Sequence, residues 1–220
     1  MKNLKIIFIS ILAIVLFSSV SLAQSPQPLY INFSTYFGGS AFEQARDVAI
    51  DSQGNIYVTG GTRSQNFKTT VGSAFNSGSC PSLGTGGRMD VFIIKFSPSG
   101  QLIWSRFFGG PCYDRAYGIE VDNQGYVYIG GRAGELLPIT AGVVQPNFAG
   151  DTAANGLYGK QDGFIAKFSP DGTQVIWATY FGTSGRDILR DIDIDASGNV
   201  YVGVTGTSSS FPAGIITPNA

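Results

Sequence analysis

The chain of 220 residues contains no histidine. That absence excludes the Ser/His/Asp and Cys/His catalytic arrangements, histidine-ligated zinc and a histidine general base. Charge is scarce as well: Asp, Glu, Lys and Arg make up 13% of the residues and leave a net charge of −1. No basic stripe of the kind that tracks a nucleic-acid backbone is present, so nucleic acid is not an expected partner. Cysteine occurs only at Cys80 and Cys112, and no segment after the N-terminal one is apolar enough to cross a bilayer. Glycine (30 residues) and aromatics (13%) are plentiful instead, a composition suited to many short strands joined by tight turns.

At the N-terminus, Lys2 and Lys5 precede an apolar run from Ile6 to about Val20, and Ser21-Leu22-Ala23 places small residues where signal peptidase needs them. Residues 1–23 are expected to be a cleaved signal peptide, with an uncleaved membrane anchor as the alternative, and the mature chain from Gln24 is expected to be secreted or held at the cell surface. Without Lys2 and Lys5, twelve basic residues face fifteen acidic ones, a net charge near −3.

The remainder is built by repetition. Asp47-Val-Ala-Ile-Asp-Ser-Gln-Gly-Asn-Ile-Tyr-Val-Thr-Gly60 is rewritten as Gly118-Ile-Glu-Val-Asp-Asn-Gln-Gly-Tyr-Val-Tyr-Ile-Gly-Gly131 and as Asp191-Ile-Asp-Ile-Asp-Ala-Ser-Gly-Asn-Val-Tyr-Val-Gly-Val204. Val48, Ile50, Ile56 and Val58 alternate with polar or small neighbours, the period of half-buried strands. Asp51 with Gly54, Asp122 with Gly125 and Asp195 with Gly198 mark the turn of a hairpin, and a tyrosine recurs on each returning strand. A second hairpin runs from Phe92 to Phe96 through Ser97-Pro-Ser-Gly100 to Trp104, and again from Phe164 to Phe168 through Ser169-Pro-Asp-Gly172 to Trp177. The aromatic pairs Tyr36-Phe37, Phe107-Phe108 and Tyr180-Phe181 recur after 71 and then 73 residues.

Two hairpins per repeat imply an all-β protein, a β-propeller of four-stranded antiparallel blades. Residues 24–220 are read as one incomplete propeller, with an opening strand at 29–37, blades at about 47–108 and 118–181, and the start of a third at 191–204, eleven strands in all. Closed propellers usually need four to eight blades. The remaining blades are therefore expected either from further sequence beyond Ala220 or from other copies of the chain.

The aromatic-Phe-Gly-Gly end, the Ile-x-Val-Asp-x-x-Gly-Asn-Val-Tyr-Val hairpin and the Phe-x-x-Lys-Phe-Ser-Pro-x-Gly hairpin together resemble the SBBP repeat of bacterial β-propellers, over essentially the whole mature chain from Leu29. The first hairpin is also similar to the NHL propeller repeat, and the second faintly to quinoprotein blades. The resemblance implies an exported or surface protein and a shape more than it implies a chemistry.

Glu43, Asp114 and Asp187 lie at one matched position, in the joints between blades. A ring of such carboxylates could hold a hard cation such as calcium through oxygen ligands; no other cofactor is expected. The alternative is that each acid accepts backbone amides or pairs with an arginine, and Arg46 and Arg190 stand at matched positions close by, with Tyr117 in their place in the middle copy. Trp104 and Trp177 are expected to pack between blades, and Lys95 and Lys167 to point to solvent. Asp193, where the other copies have Ala49 and Glu120, is the carboxylate that departs from the repeat. Cys80 sits in the long loop of the first blade and Cys112 in the joint leaving it, so an up-down-up-down blade puts both at one end and a disulfide between them is expected in an exported chain. The long connections at 61–89 and 132–161 differ between copies and emerge at that same end, where Phe67, Phe75, Phe148 and Tyr158 are candidates for exposed binding residues. The expected function is a binding or structural module for a protein or glycan. An enzyme acting on glycans through carboxylates and a calcium-stabilised scaffold are the alternatives.

Overall fold

The structure is a computed structural model that describes residues 33–150 and 156–208. The expected signal peptide and residues 209–220 lie outside the described residues. From Thr35 onward the described chain is one unit of ten strands. They are β1 (Glu43–Ile50), β2 (Ile56–Thr62), β3 (Asp90–Phe96), β4 (Leu102–Phe108), β5 (Arg115–Val121), β6 (Val127–Ala133), β7 (Asp162–Phe168), β8 (Val175–Phe181), β9 (Asp187–Ile194) and β10 (Val200–Gly206). Three antiparallel sheets result, ordered β1-β2-β3-β4, β5-β6-β7-β8 and β9-β10: two whole blades and the first hairpin of a third.

Each first hairpin closes through its aspartate. Asp51 Oδ1 accepts the amides of Gln53 and Asn55, both at 2.9 Å, while Oδ2 accepts the Tyr57 hydroxyl at 3.0 Å. Asp122 and Asp195 do the same for Tyr128 and Tyr201, at 3.1 Å in both cases. The glycine three residues on takes φ of 80°, 84° and 83° in the three turns, a region closed to most side chains. The recurring tyrosine is thus a strut that ties the returning strand to its own turn.

The inner strands begin three to four residues earlier than the sequence pattern suggests. A β-bulge at Arg46, Tyr117 and Arg190 shifts the register of all three first hairpins at the same place. An extra residue inverts the in-out alternation, so the apolar period appears to stop while the ladder continues to Glu43, Arg115 and Asp187. Opposite the middle bulge stands Gly131, where a Cβ would lie 2.1 Å from the Arg115 carbonyl oxygen.

The opening strand expected at 29–37 is not formed over residues 33–37. Residues 29–32 fall outside the described residues.

The main core lies between the two blades. Val91, Ile93, Trp104 and Phe108 of the first pack with Ile119, Val127, Ile129, Phe164, Phe168 and Tyr180 of the second. Trp104 is 3% exposed, its indole N–H donating to Pro170 O at 3.1 Å across the interface. Packing at this seam is close: a Cβ on Gly172 would meet the Trp104 ring at 2.7 Å. Trp177, the matched residue of the second blade, is only half-buried. Val48, on the face that a preceding blade would cover, is 57% exposed, whereas its counterparts Ile119 and Ile192 are 1% and 3% exposed.

Candidate functional site at the long-loop end

The two long connections and the joints between blades meet at one end of the sheets. Met89, where the first long loop enters β3, bridges to Tyr113 in the joint, with Asp114 N donating to Met89 O at 2.7 Å. Cys80 and Cys112 form a disulfide that ties the same loop to the same joint. The two loops touch each other as well, through Gly86 N to Leu157 O at 2.6 Å. Their earlier halves lie along the outer edge strands, where Thr70 N reaches Ser105 O at 2.8 Å on β4 and Thr140 N reaches Ala178 O at 3.1 Å on β8. These contacts cover edges that would otherwise invite pairing with other chains.

The loops are therefore docked, and the four aromatics expected to be exposed on them turn inward. Phe67 is 3% exposed and stacks on Phe92 at 5.1 Å. Phe75 packs edge-on to Phe107 at 5.7 Å and Phe148 to Tyr180 at 5.4 Å, both half-buried. Tyr158 lies 4.8 Å from Tyr113. Burying large apolar rings outweighs displaying them to water. Lys95 and Lys167 also depart from the expected solvent-facing pose: Lys95 Nζ sits 5.0 Å from the Tyr57 ring, and Lys167 Nζ lies 4.3 Å from Tyr126 and 3.7 Å from Asp122 Oδ2.

Glu43, Asp114 and Asp187 do not converge into a calcium ring, and among the described residues no group of three or more Asp, Glu, Cys or His side chains could hold a metal ion. Each serves its own joint. Asp114 accepts the amides of Gly110 at 2.6 Å and Gly134 at 2.9 Å; Asp187 accepts both the amide and the hydroxyl of Thr183 at 2.6 and 2.8 Å; Glu43 accepts the Thr62 hydroxyl at 2.8 Å. Asp90 lies beside Asp114, at the edge of a cleft of about 440 Å³ between the blades that Phe75, Arg106 and Pro138 also line. Burial, and then the neighbouring Asp114 charge, push the Asp90 carboxyl up to about 8; burial alone raises Asp114 to about 7. Both groups are poised to hold a proton near neutrality.

The bulges build a second feature at this end. They carry Arg46, Tyr117 and Arg190 on three successive inner strands, and Tyr117 stands between the two arginines. The Arg46 and Arg190 guanidiniums lie 5.1 and 5.5 Å from the Tyr117 ring, joined by Arg115 at 5.2 Å and Arg132 at 5.8 Å. Arg132 is further held over Tyr158 at 4.0 Å and Tyr113 at 4.9 Å, and Arg115 donates to Tyr113 Oη at 3.3 Å and to Gln44 Oε1. Arg46 and Arg190 do not pair with the joint acids: among the described residues no carboxylate lies within 4.0 Å of any of the four arginines. Sequence reasoning missed Arg115 and Arg132. The signal was a departure from the repeat, since the first copy has Gln44 and Gly61 at the matched positions.

Four-stranded antiparallel sheets stacked face to face along their inner strands are the blades of a β-propeller. The chain carries SBBP repeats, described as a beta-propeller repeat, at residues 32–68 and 176–212. Arg115, Tyr117 and Arg132 belong to the middle copy, between those matches. Regulatory protein FlaEY of Caulobacter vibrioides is 24% identical over 189 residues, covering 84% of this chain and 18% of that protein. An uncharacterized WD repeat-containing protein of Acanthamoeba polyphaga mimivirus is 24% identical over 186 residues, covering 78% of this chain and 13% of that protein. The chain thus spans less than a fifth of the length of these curated relatives.

Proposed function

We propose that this chain is part of an exported bacterial β-propeller that acts as a binding module, engaging a protein or glycan through its long-loop end. The observation that carries the reading is the contrast between the two ends. The first-hairpin turns are closed by the same aspartate–tyrosine hydrogen bonds in all three copies, whereas the long-loop end gathers the disulfide, long loops that differ in sequence, and the buried Arg115 and Arg132, which depart from the repeat. Binding sites on symmetric scaffolds reside where the copies differ. Glycan hydrolysis needs two carboxylates flanking an open cleft; Asp114, one of the two acids whose carboxyls are raised at this end, is fully buried and accepts two backbone amides, which favours binding without turnover.

The open face of the second blade bears on how the ring continues. Ile165, Ile176, Trp177 and Phe181 line an apolar groove of about 430 Å³. The matched face of the first blade is covered by Phe168 and the Ser169–Gly172 turn. The groove is suited to another Phe-Ser-Pro-x-Gly hairpin, from a following repeat or a second copy of the chain.

Retention of the full chain on a glycan array and on a panel of immobilised extracellular proteins tests the reading. The expected result is retention of an unmodified ligand that the Arg46→Gln change weakens and Gln124→Ala, at the turn end, leaves intact. Release of cleaved glycan would overturn it in favour of an enzyme.

A further inference from the structure

The cluster at the long-loop end brings together four arginines, none with a described carboxylate within 4.0 Å. On the inner strands Asp47, Asp191 and Asp193 gather around Glu120, while the joint acids Glu43, Asp114 and Asp187 are taken up by Thr62, by the Gly110 and Gly134 amides, and by Thr183. The Glu120 carboxyl is raised by burial and then by Asp193, Asp47 and Asp191, with no arginine among its influences. Asp47 Oδ2 is engaged by the Ile119 amide at 2.8 Å, which draws it toward the neighbouring blade.

Two of the four arginines are interior. Arg115 is 5% and Arg132 4% exposed, and the Nε of each is buried with no hydrogen-bond partner. An arginine is chosen for the interior where its fork has a planar or tetrahedral oxyanion to meet, and a donor left unpaired there is unfavourable. Arg46 and Arg190 are exposed and form the rim. Packing alone does not require this arrangement, because the first copy builds the same joint with Gln44 and Gly61 in place of the two buried arginines.

We propose that the Arg46, Arg115, Arg132 and Arg190 tier around Tyr117 binds a phosphate or sulfate group, most simply an ester carried by a ligand at the long-loop end. A dianion answers a four-arginine cluster better than a single carboxylate does, and Tyr117 holds the guanidiniums spread by stacking rather than by competing as an acceptor. The proposal deepens the binding-module reading and rests on the long-loop end being the functional one.

Calorimetric titration of the full chain with inorganic phosphate, inorganic sulfate and a sulfated disaccharide, each against sodium chloride of equal ionic strength, tests it. Saturable binding is expected that the rim double variant Arg46→Gln/Arg190→Gln weakens by about tenfold or more, with an unchanged melting temperature. Arg132→Gln should abolish it; the exposed rim pair keeps the test decisive if that buried variant does not fold. Tighter binding of the disaccharide than of sulfate assigns the site to an ester, and equal binding assigns it to the free anion. Heats indistinguishable from sodium chloride, or an unaltered affinity in the rim variant, would overturn the proposal. A glycan retained on the array equally by wild type and rim variant would sink the oxyanion site while leaving the binding module standing. Sulfate binding without any retained protein or glycan would do the reverse.

Discussion

Trp104 and Trp177 occupy one position in consecutive repeats and provide an internal control for the blade–blade interface. Trp104 is 3% exposed, covered by Gly172, and donates its indole N–H to Pro170 O. Trp177 is half-buried on the open face of the second blade, and no described residue accepts its N–H. Truncating a fully packed tryptophan to alanine costs about 3–5 kcal/mol. The partly open copy has less to lose: roughly 50 Å² less apolar burial corresponds to about 1 kcal/mol, and the missing hydrogen bond to about 1 more. Trp104→Ala should therefore destabilise by about 2 kcal/mol more than Trp177→Ala, read as the difference in urea midpoints multiplied by a common slope. Equal losses within about 0.5 kcal/mol would refute the reasoning, because they would mean that Trp104 gains nothing from the second blade or that Trp177 is covered to the same extent.

Replacing both cysteines, Cys80→Ser with Cys112→Ser, should lower stability by about 3.5 kcal/mol from the closure of a loop of 32-residue separation, and dithiothreitol should produce the same shift in the wild type. A change below about 1 kcal/mol would show that the loop is held by its other contacts. The Asp90 carboxyl is raised in the folded state from 3.8 to about 8, so the folded chain binds this proton more tightly than the unfolded one. Its contribution is fully present below pH 4 and is lost as pH rises toward 8, so Asp90→Asn should flatten the fall of the denaturation midpoint over that window. The turn aspartates act with the opposite sign. Asp195 is held below its usual value chiefly by hydrogen bonds from Asn199, so its contribution is present at neutral pH and should vanish on acidification, and Asp195→Asn should remove that acid sensitivity from the third hairpin. Tyr128→Phe removes the strut to Asp122 and should cost about 1 kcal/mol by thermal melting, without affecting ligand retention.

Much of the architecture was legible because it was written more than once. Hairpin periodicity, the Asp–Gly turns and the matched tryptophans placed seven of the ten strands close to their ends and the disulfide in its loop and joint. The bulges at Arg46, Tyr117 and Arg190 were not legible, since one inserted residue leaves no compositional trace beyond a broken alternation. That break hid the true starts of the inner strands and with them the face that the three side chains share. The long loops were misjudged for a related reason. Phe67, Phe75, Phe148 and Tyr158 lie in segments without periodicity, and only the fold reveals that these segments dock on the outer strands and the joint, burying Phe67 and half-burying the other three. The arginine cluster assembles residues from all three inner strands and from β6, so proximity had to come from the structure. The sequence showed Arg46, Tyr117 and Arg190 at one matched position, and Arg115 and Arg132 left a trace only as residues standing where the first copy has Gln44 and Gly61.

The account turns on the long-loop end, rather than the hairpin-turn end, being where the protein meets its ligand. Amide hydrogen exchange of the full chain, with and without saturating sulfate, measures this directly. The predicted result is slowed exchange at the joint 109–114, the bulge around Tyr117 and the loop carrying Tyr158, with the turns at 51–55, 122–126 and 195–199 unchanged. Protection confined to the turns would contradict it, and protection nowhere would remove the oxyanion site from the account.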